Sequence, residues 1–341
     1  MDTNNQQSSI VTLDEMHKRA GRRKLIILLS LFGICIAVLV ALPFVVVSGY
    51  WLGIVMKAII WGVFAMSIDL MIGYSGLLTL GQAAFFGVSA YTIAITLTRT
   101  DIGQPAAIAL SLLLSTGVAL VFGLIASHLK GLIFLMVTIA ISQVVWGLAM
   151  QMTHLTGGDN GVSGVPRLSF GGAPLPTGYF FYFVAFIAVA CAVLLFFLTK
   201  SPYGLALKGL KQSESRMRVL GYNVWLYKVL IITISGLFAG IAGMMFAFYS
   251  GFVGTRDVSI ISGAQGLVMV LAGGAGSLIG PVIGAISITF AQNFVSSVTE
   301  RWATVLGLIY ILVVIFLPNG IIGLFKRGKK NNKDKKGNII T

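Results

Sequence analysis

Charged side chains are scarce in this chain. Asp, Glu, Lys and Arg make up 10% of its 341 residues, against about 25% in a soluble domain. With 57% hydrophobic residues, that shortage excludes a soluble globular protein. Cysteine is nearly missing too: Cys35 and Cys191 both lie inside apolar runs, without metal-like spacing, so no disulfide framework or thiolate site is expected. No acid pair occurs within the apolar runs, and His128 and His154 fall at predicted opposite ends of one crossing. An intramembrane enzyme, which needs clustered catalytic groups, finds no support there. The glycine-rich stretch Ala272-Gly273-Gly274-Ala275-Gly276-Ser277 lacks the Lys-Ser or Lys-Thr ending of a phosphate loop and follows no soluble strand, which excludes nucleotide binding there. Asp159-Asn160-Gly161 lacks the alternating acidic ligands of a calcium loop. No cofactor or metal is expected to be bound by this chain.

What is present is a series of long apolar runs. They are continuous rather than alternating, so they predict transmembrane helices and not a barrel. The first, Leu25 to Val47, carries no charge over a length that spans a bilayer, about 20 residues sufficing. Residues 1–17 are polar and show no cleavage-type signal before it, so a retained first helix is expected. The fold class expected is an all-α integral membrane protein, a polytopic bundle of about ten crossings. They fall near 25–47, 51–72, 75–98, 105–126, 131–151, 179–199, 228–250, 258–274, 277–297 and 303–325. The expected organisation is a cytoplasmic tail at 1–24, a transmembrane domain at 25–325 with a cytoplasmic loop at 203–228, and a basic cytoplasmic tail at 326–341.

The net charge is +14, which would suggest nucleic acid were it not for its location. Basic residues concentrate at Lys18–Lys24, Lys200–Lys228 and Lys326–Lys336, while Arg99, Arg167, Arg256 and Arg301 occupy the opposite set of loops. That asymmetry is the positive-inside bias. It places both termini and the 203–228 loop in the cytoplasm, makes anionic lipid the partner of the lysine tail, and leaves no role for nucleic acid.

Tyr203 to Lys228 is the one sizeable polar segment away from the termini. Leu207, Leu210, Met217 and Leu220 recur at helical spacing, Glu214 precedes Arg218 by four residues in the favourable order for an ion pair, and Gly221 supplies a stop with Asn223 close behind. These residues predict one short amphipathic helix. They fit either a docking ridge for another protein or a basic helix on anionic headgroups.

Within the membrane, Gly73 to Gln82 crosses a predicted helix boundary with three glycines, two hydroxyls and an amide. A break is expected, because each glycine lowers helix stability by about 1 kcal/mol and irregular backbone at membrane depth survives only against protein or a wet cavity. Ser75, Gly76, Thr79 and Gln82 are therefore candidates for a translocation path, with Gly273 and Gly274 from the second glycine-rich turn. Gly236, Gly240 and Gly243, and the Gly280–Gly284 step, are at spacings suited to close helix packing. Asp69 and Lys57 are the charges within the second crossing, over three turns apart, so they cannot pair on a straight helix. Asp69 would be the coupling carboxylate of an ion-driven transporter; it could equally sit at the headgroup boundary, with Lys57 snorkelling outward. Thr153 to Gly178 is the longest outward loop and a candidate contact surface.

Taken in order, GYSGLLTLGQAAFFGVSAY (from Gly73), LKGLIFLMVTIA (from Leu129), TGGDNGVSGVP (from Thr156), LKGLKQSESRMRVLGYNVWLYK (from Leu207), GLFAGIAGMMFAFYSGFV (from Gly236), VLAGGAGSLIGPVIGA (from Val270) and LGLIYILVVIFLPNGIIGL (from Leu306) resemble the membrane permease subunit of bacterial branched-chain amino-acid ABC importers. The resemblance is strongest to the second of their two permease types and covers roughly residues 50–325. It implies an inner-membrane permease paired with a sister permease, two cytoplasmic ATP-binding subunits that use ATP and Mg, and an extracytoplasmic solute-binding protein. The 207–221 loop would then be the coupling helix. The wider pattern has Glu-Ala-Ala followed by glycine, whereas Glu214 here precedes Ser215 and Arg216, and Gly221 comes late. Related permeases for urea or short amides share the glycine-rich pieces, so both solutes fit. A proline at Glu214, or deletion of 209–218, is expected to spare insertion and abolish transport.

Overall fold

The computed structural model describes residues 49–170, 173–316, 320–321 and 323. The predicted first crossing and both tails lie outside the described residues, as do Cys35 and the end of the tenth crossing. The chain divides into two units, 1–52 and 53–341; the first is described only over residues 49–52, and the helix bundle belongs to the second.

The helices are α1 (Gly49–Asp69), α2 (Gln82–Arg99), α3 (Gln104–Ala126), α4 (Gly131–Gln151), α5 (Thr153–Thr156), α6 (Thr177–Lys200), α7 (Pro202–Gln212), α8 (Glu214–Val219), α9 (Val224–Ser250), α10 (Thr255–Val258), α11 (Ile260–Gly273), α12 (Ile279–Val298) and α13 (Trp302–Phe316). A π-helical segment, Leu70–Ser75, continues α1. Among the described residues six helices are long and apolar enough to cross a membrane: α1 with its π-helical extension, α3, α4, α6, α9 and α12. The all-α membrane class stands, but ten crossings are not all seen as such. The predicted 75–98 crossing begins only at Gln82, after a non-helical stretch beyond Gly76. The 258–274 crossing is split at Ser259, which is extended (φ −70°, ψ 161°), leaving α11 with 14 residues, short of the ~20 that span a bilayer.

Helices α1 and α9 form the centre. Their most apolar stretches are 72% and 67% buried, against 22% to 33% for α3, α4, α6 and α12. The apolar faces these outer helices expose are suited to lipid or another subunit. Trp61, Phe64 and Phe86 interlock α1 with α2, the Phe64 and Phe86 rings meeting edge to face at 5.1 Å. The Ser235 hydroxyl donates to the Ser67 carbonyl at 2.6 Å, tying α9 to α1. Ser115 on α3 donates to Phe85 O at 2.9 Å and lies within reach of Gly236 O.

The glycines on one face of α9 make this closeness possible. A Cβ on Gly236 would strike Ala119, and one on Gly243 would strike the Phe86 carbonyl. In α12, a Cβ on Gly284 would strike the Met269 carbonyl of α11. Both glycine sets serve close helix packing, backbone against backbone at Gly243 and Gly284, which is what holds helices together without a hydrophobic drive.

The 153–178 loop is held by polar contacts. Strand β1 (Val162–Ser163) pairs antiparallel with β4 (Phe252–Val253), and β2 (Ser169–Phe170) with β3 (Ala173–Pro174). The amide of Gln104 clamps the loop, donating to Arg167 O at 3.0 Å and accepting from Ser169 N at 2.8 Å. His154 contributes its backbone carbonyl, which accepts from Arg99.

Candidate functional site

The predicted single amphipathic helix is in fact two. Ser201 caps α7, accepting from Gly204 N, and Pro202 occupies the first turn, where its missing N–H costs nothing. The helix stops at Ser213, whose extended backbone (φ −166°, ψ 111°) lets its hydroxyl accept from Arg216 N and start α8. At the other end, Tyr222 N donates to Met217 O and Gly221 N to Arg218 O, with Gly221 at φ 84°. That double closure is the Schellman stop.

The apolar stripe also faces a different way from that of a docking ridge. Leu207, Leu210 and Met217 are buried. Leu210 and Met217 cluster with Ala206, Val224 and Tyr227, while Leu220 is exposed (70%), as are Leu205 and Val219. Helices of 11 and 6 residues are too short to persist alone, so they bury their apolar faces on their own chain. The outward surface includes Leu205, Lys208, Lys211, Arg216, Arg218, Val219 and Leu220.

Glu214 joins three elements. Its carboxylate lies 2.5 Å from Lys228 Nζ at the start of α9, 3.1 Å from Lys130 Nζ before α4, and 3.9 Å from Arg218 in α8 itself. Burial alone would raise the carboxyl's pKa; the Lys228 and Lys130 ammonium groups outweigh it and hold it below its ordinary 4.5. Lys228 is 1% exposed and also donates to Leu129 O at 3.0 Å.

Apart from its chain neighbours, the element α7 packs on most is the π-helical segment. Lys211 Nζ donates to Gly73 O at 2.8 Å, and Lys208 Nζ lies 5.6 Å from the centre of the Tyr74 ring. Asp69, fully buried, accepts the Gly276 N–H on Oδ1 at 2.6 Å, while Oδ2 has no partner. The candidate ion-coupling carboxylate thus ties α1 to the α11–α12 turn. Its side chain is enclosed by protein.

The candidate path residues divide by what their polar groups do. Ser75 donates to Met71 O at 2.6 Å, and the Thr79 hydroxyl accepts from Gly81 N at 3.1 Å, so both serve the broken backbone. Gly76, at φ 75°, ends the π-helical segment. Gly273 and Gly274 lie where α11 meets α12 and permit the close approach of Gly280. Gln82 is 1% exposed, and neither its amide nitrogen nor its amide oxygen has a partner. Buried amides are nearly always satisfied, so the unpartnered amide at the first turn of α2 stands out among the candidate path residues.

Sequence reasoning missed Lys211, Lys130, Lys228 and Gly276 as working residues. Lys228 did carry a signal: a lysine opening an apolar run of this length is an intramembrane charge, which rarely stands unpaired.

Residues 50–317 match the family model described as branched-chain amino acid transport system / permease component. The chain belongs to this permease family. The permease is 28% identical over 318 residues to the high-affinity branched-chain amino acid transport system permease protein LivM of Escherichia coli (strain K12), covering 86% of this chain and 75% of that one. It is 27% identical over 311 residues to the protein of the same name from Salmonella typhimurium, covering 84% and 73%. A probable branched-chain amino acid transport permease protein LivM of Methanocaldococcus jannaschii is 25% identical over 240 residues, covering 63% and 67%. No solved structure matches the permease.

Proposed function

We propose that this permease subunit carries branched-chain amino acids inward across a bacterial inner membrane, with ATP hydrolysed by separate subunits. The observation that carries this reading is the family match over residues 50–317. In this account a sister permease completes the path, two ATP-binding subunits with ATP and Mg sit beneath α7 and α8, and an extracytoplasmic solute-binding protein delivers the ligand. Both termini are cytoplasmic.

Each part of the geometry has a task in it. The exposed Leu205, Arg216, Val219 and Leu220 surface offers a mixed apolar and basic face to an ATP-binding subunit. Glu214 fixes that face to α4 and α9, so a push on α8 is borne by the helices and not absorbed by the loop. Gln82 presents an unpartnered donor and acceptor to a passing solute. ATP drives accumulation only insofar as it favours one access state over the other by differential contacts.

The test is uptake by the complete importer in vesicles, supplied with ATP and either labelled leucine or labelled urea. Leucine should accumulate. Accumulation of urea without leucine would overturn the substrate assignment.

A further inference from the structure

The π-helical segment leaves the Gly73 carbonyl outside the helix's own backbone bonds, and α7 holds the group that takes it. In a continuous α-helix the Gly73 carbonyl would accept from Leu77 N–H, four residues on. Here Leu77 N–H is diverted to Met71 O at 3.0 Å, and Gly76 N–H goes to the same carbonyl. Gly73 O is thereby released, and Lys211 Nζ of α7 takes it at 2.8 Å. Lys211 thus occupies the carbonyl that Leu77 N–H would reach in a continuous helix. π-Helical turns recur at functional sites, and this one closes α1 at the left-handed Gly76.

The surroundings are built for this contact. Lys211 runs along Gly76, where a Cβ would come 3.0 Å from its Cγ. On the far side, a Cβ on Gly73 would strike Asp69 Oδ1 and Gly276 N and come 2.7 Å from Gly276 Cα. The Gly276 N–H is itself bound by Asp69. Within the six residues Leu70–Ser75, then, α7, α1 and the α11–α12 turn meet. Beyond them Gly76 leads, through five non-helical residues, to the unpartnered Gln82.

We infer that Lys211 is a positioning residue that carries the displacement of α7 into the membrane by holding or releasing the Gly73 carbonyl. With Lys211 engaged, the segment stays π-helical. When α7 is drawn away, Leu77 N–H recovers the carbonyl, the helix rewinds by one residue, and Gln82 shifts with the backbone. Asp69 and Gly276 pass the same shift to α11 and α12. This rests on the proposed function, since it needs an ATP-driven partner to move α7.

The test uses the complete importer in vesicles, measuring ATP hydrolysis and labelled leucine uptake together. Lys211→Met keeps the aliphatic stem and removes the donor; because Lys211 is a surface residue, folding should be untouched. The amount of leucine moved per ATP should fall at least about fivefold, at the low end of typical coupling effects, with Lys211→Arg restoring most of it. An unchanged ratio in Lys211→Met overturns the inference, whether both rates stay normal or fall together. Gly73→Ala, which forces the α11–α12 turn off the segment, should lower the ratio too. If the wild-type importer takes up no leucine with ATP, or deletion of 209–218 leaves uptake intact, the proposed function itself fails. A normal Lys211→Met beside an inactive deletion removes this inference alone.

Discussion

Lys228 Nζ lies 2.5 Å from Glu214 Oε1 although the lysine is only 1% exposed. An ammonium group so enclosed depends on its counter-ion. Glu214→Ala should destabilise the permease by about 1–3 kcal/mol, less than the ~3–5 for a fully buried pair because Glu214 keeps some solvent contact. Thermal unfolding in detergent checks this. The double variant Glu214→Ala/Lys228→Met should recover much of the loss, because the orphaned charge has gone. A double variant no more stable than Glu214→Ala would show that the pair is not what matters. Glu214→Pro should behave like Glu214→Ala: proline fits the first position of a helix, and Ser213 before it is already extended. It removes a charge without breaking α8.

The same carboxylate sets an acid limit. Its pKa is lowered from 4.5 in the folded chain, so it contributes stability above 4.5 that is lost as pH falls through the lowered folded value. The melting-temperature advantage of the wild type over Glu214→Gln should be constant near neutrality and shrink below about pH 4.5. An advantage unchanged down to about pH 3 would mean that another group carries the acid sensitivity.

Packing on α9 leaves no room for a methyl group at Gly243. Gly243→Ala should cost about 1–3 kcal/mol, because the added Cβ meets the Phe86 carbonyl and cannot rotate away. Gly117→Ala on α3, with nothing within 4 Å of the added carbon, should be neutral or slightly stabilising. Equal melting temperatures for the two variants would contradict this.

Gln82 separates function from stability. Gln82→Leu removes a buried amide that has no partner, so stability should hold or rise. Leucine uptake should nonetheless fall about tenfold, the equivalent of one lost hydrogen bond to the moving solute at roughly 1.4 kcal/mol. A variant that transports normally would take Gln82 off the path.

Much of this architecture is legible locally. The predicted 105–126 and 131–151 crossings agree to within a residue with α3 and α4, because Gly103–Pro105 and Lys130–Gly131 punctuate the chain at those points. The break after Gly73 is visible as a glycine cluster, but its π-helical form is not, since composition does not encode which carbonyl an N–H selects. Periodicity reveals the stripe of Leu207, Leu210 and Met217. Its direction depends on Val224 and Tyr227, which belong to another helix. Lys211 and Gly73 are 138 positions apart, and no local pattern announces such a meeting. The same holds for Asp69, an isolated charge in the sequence until the fold brings Gly276 to it.

In the proposed mechanism this permease is a passive bundle driven from outside through α7 and α8. The most direct measurement compares vesicles holding the chain alone with vesicles holding the whole importer, both loaded with ATP and given labelled leucine. Accumulation against a gradient is predicted only where the ATP-binding subunits are present. Concentrative uptake by the chain on its own would contradict it.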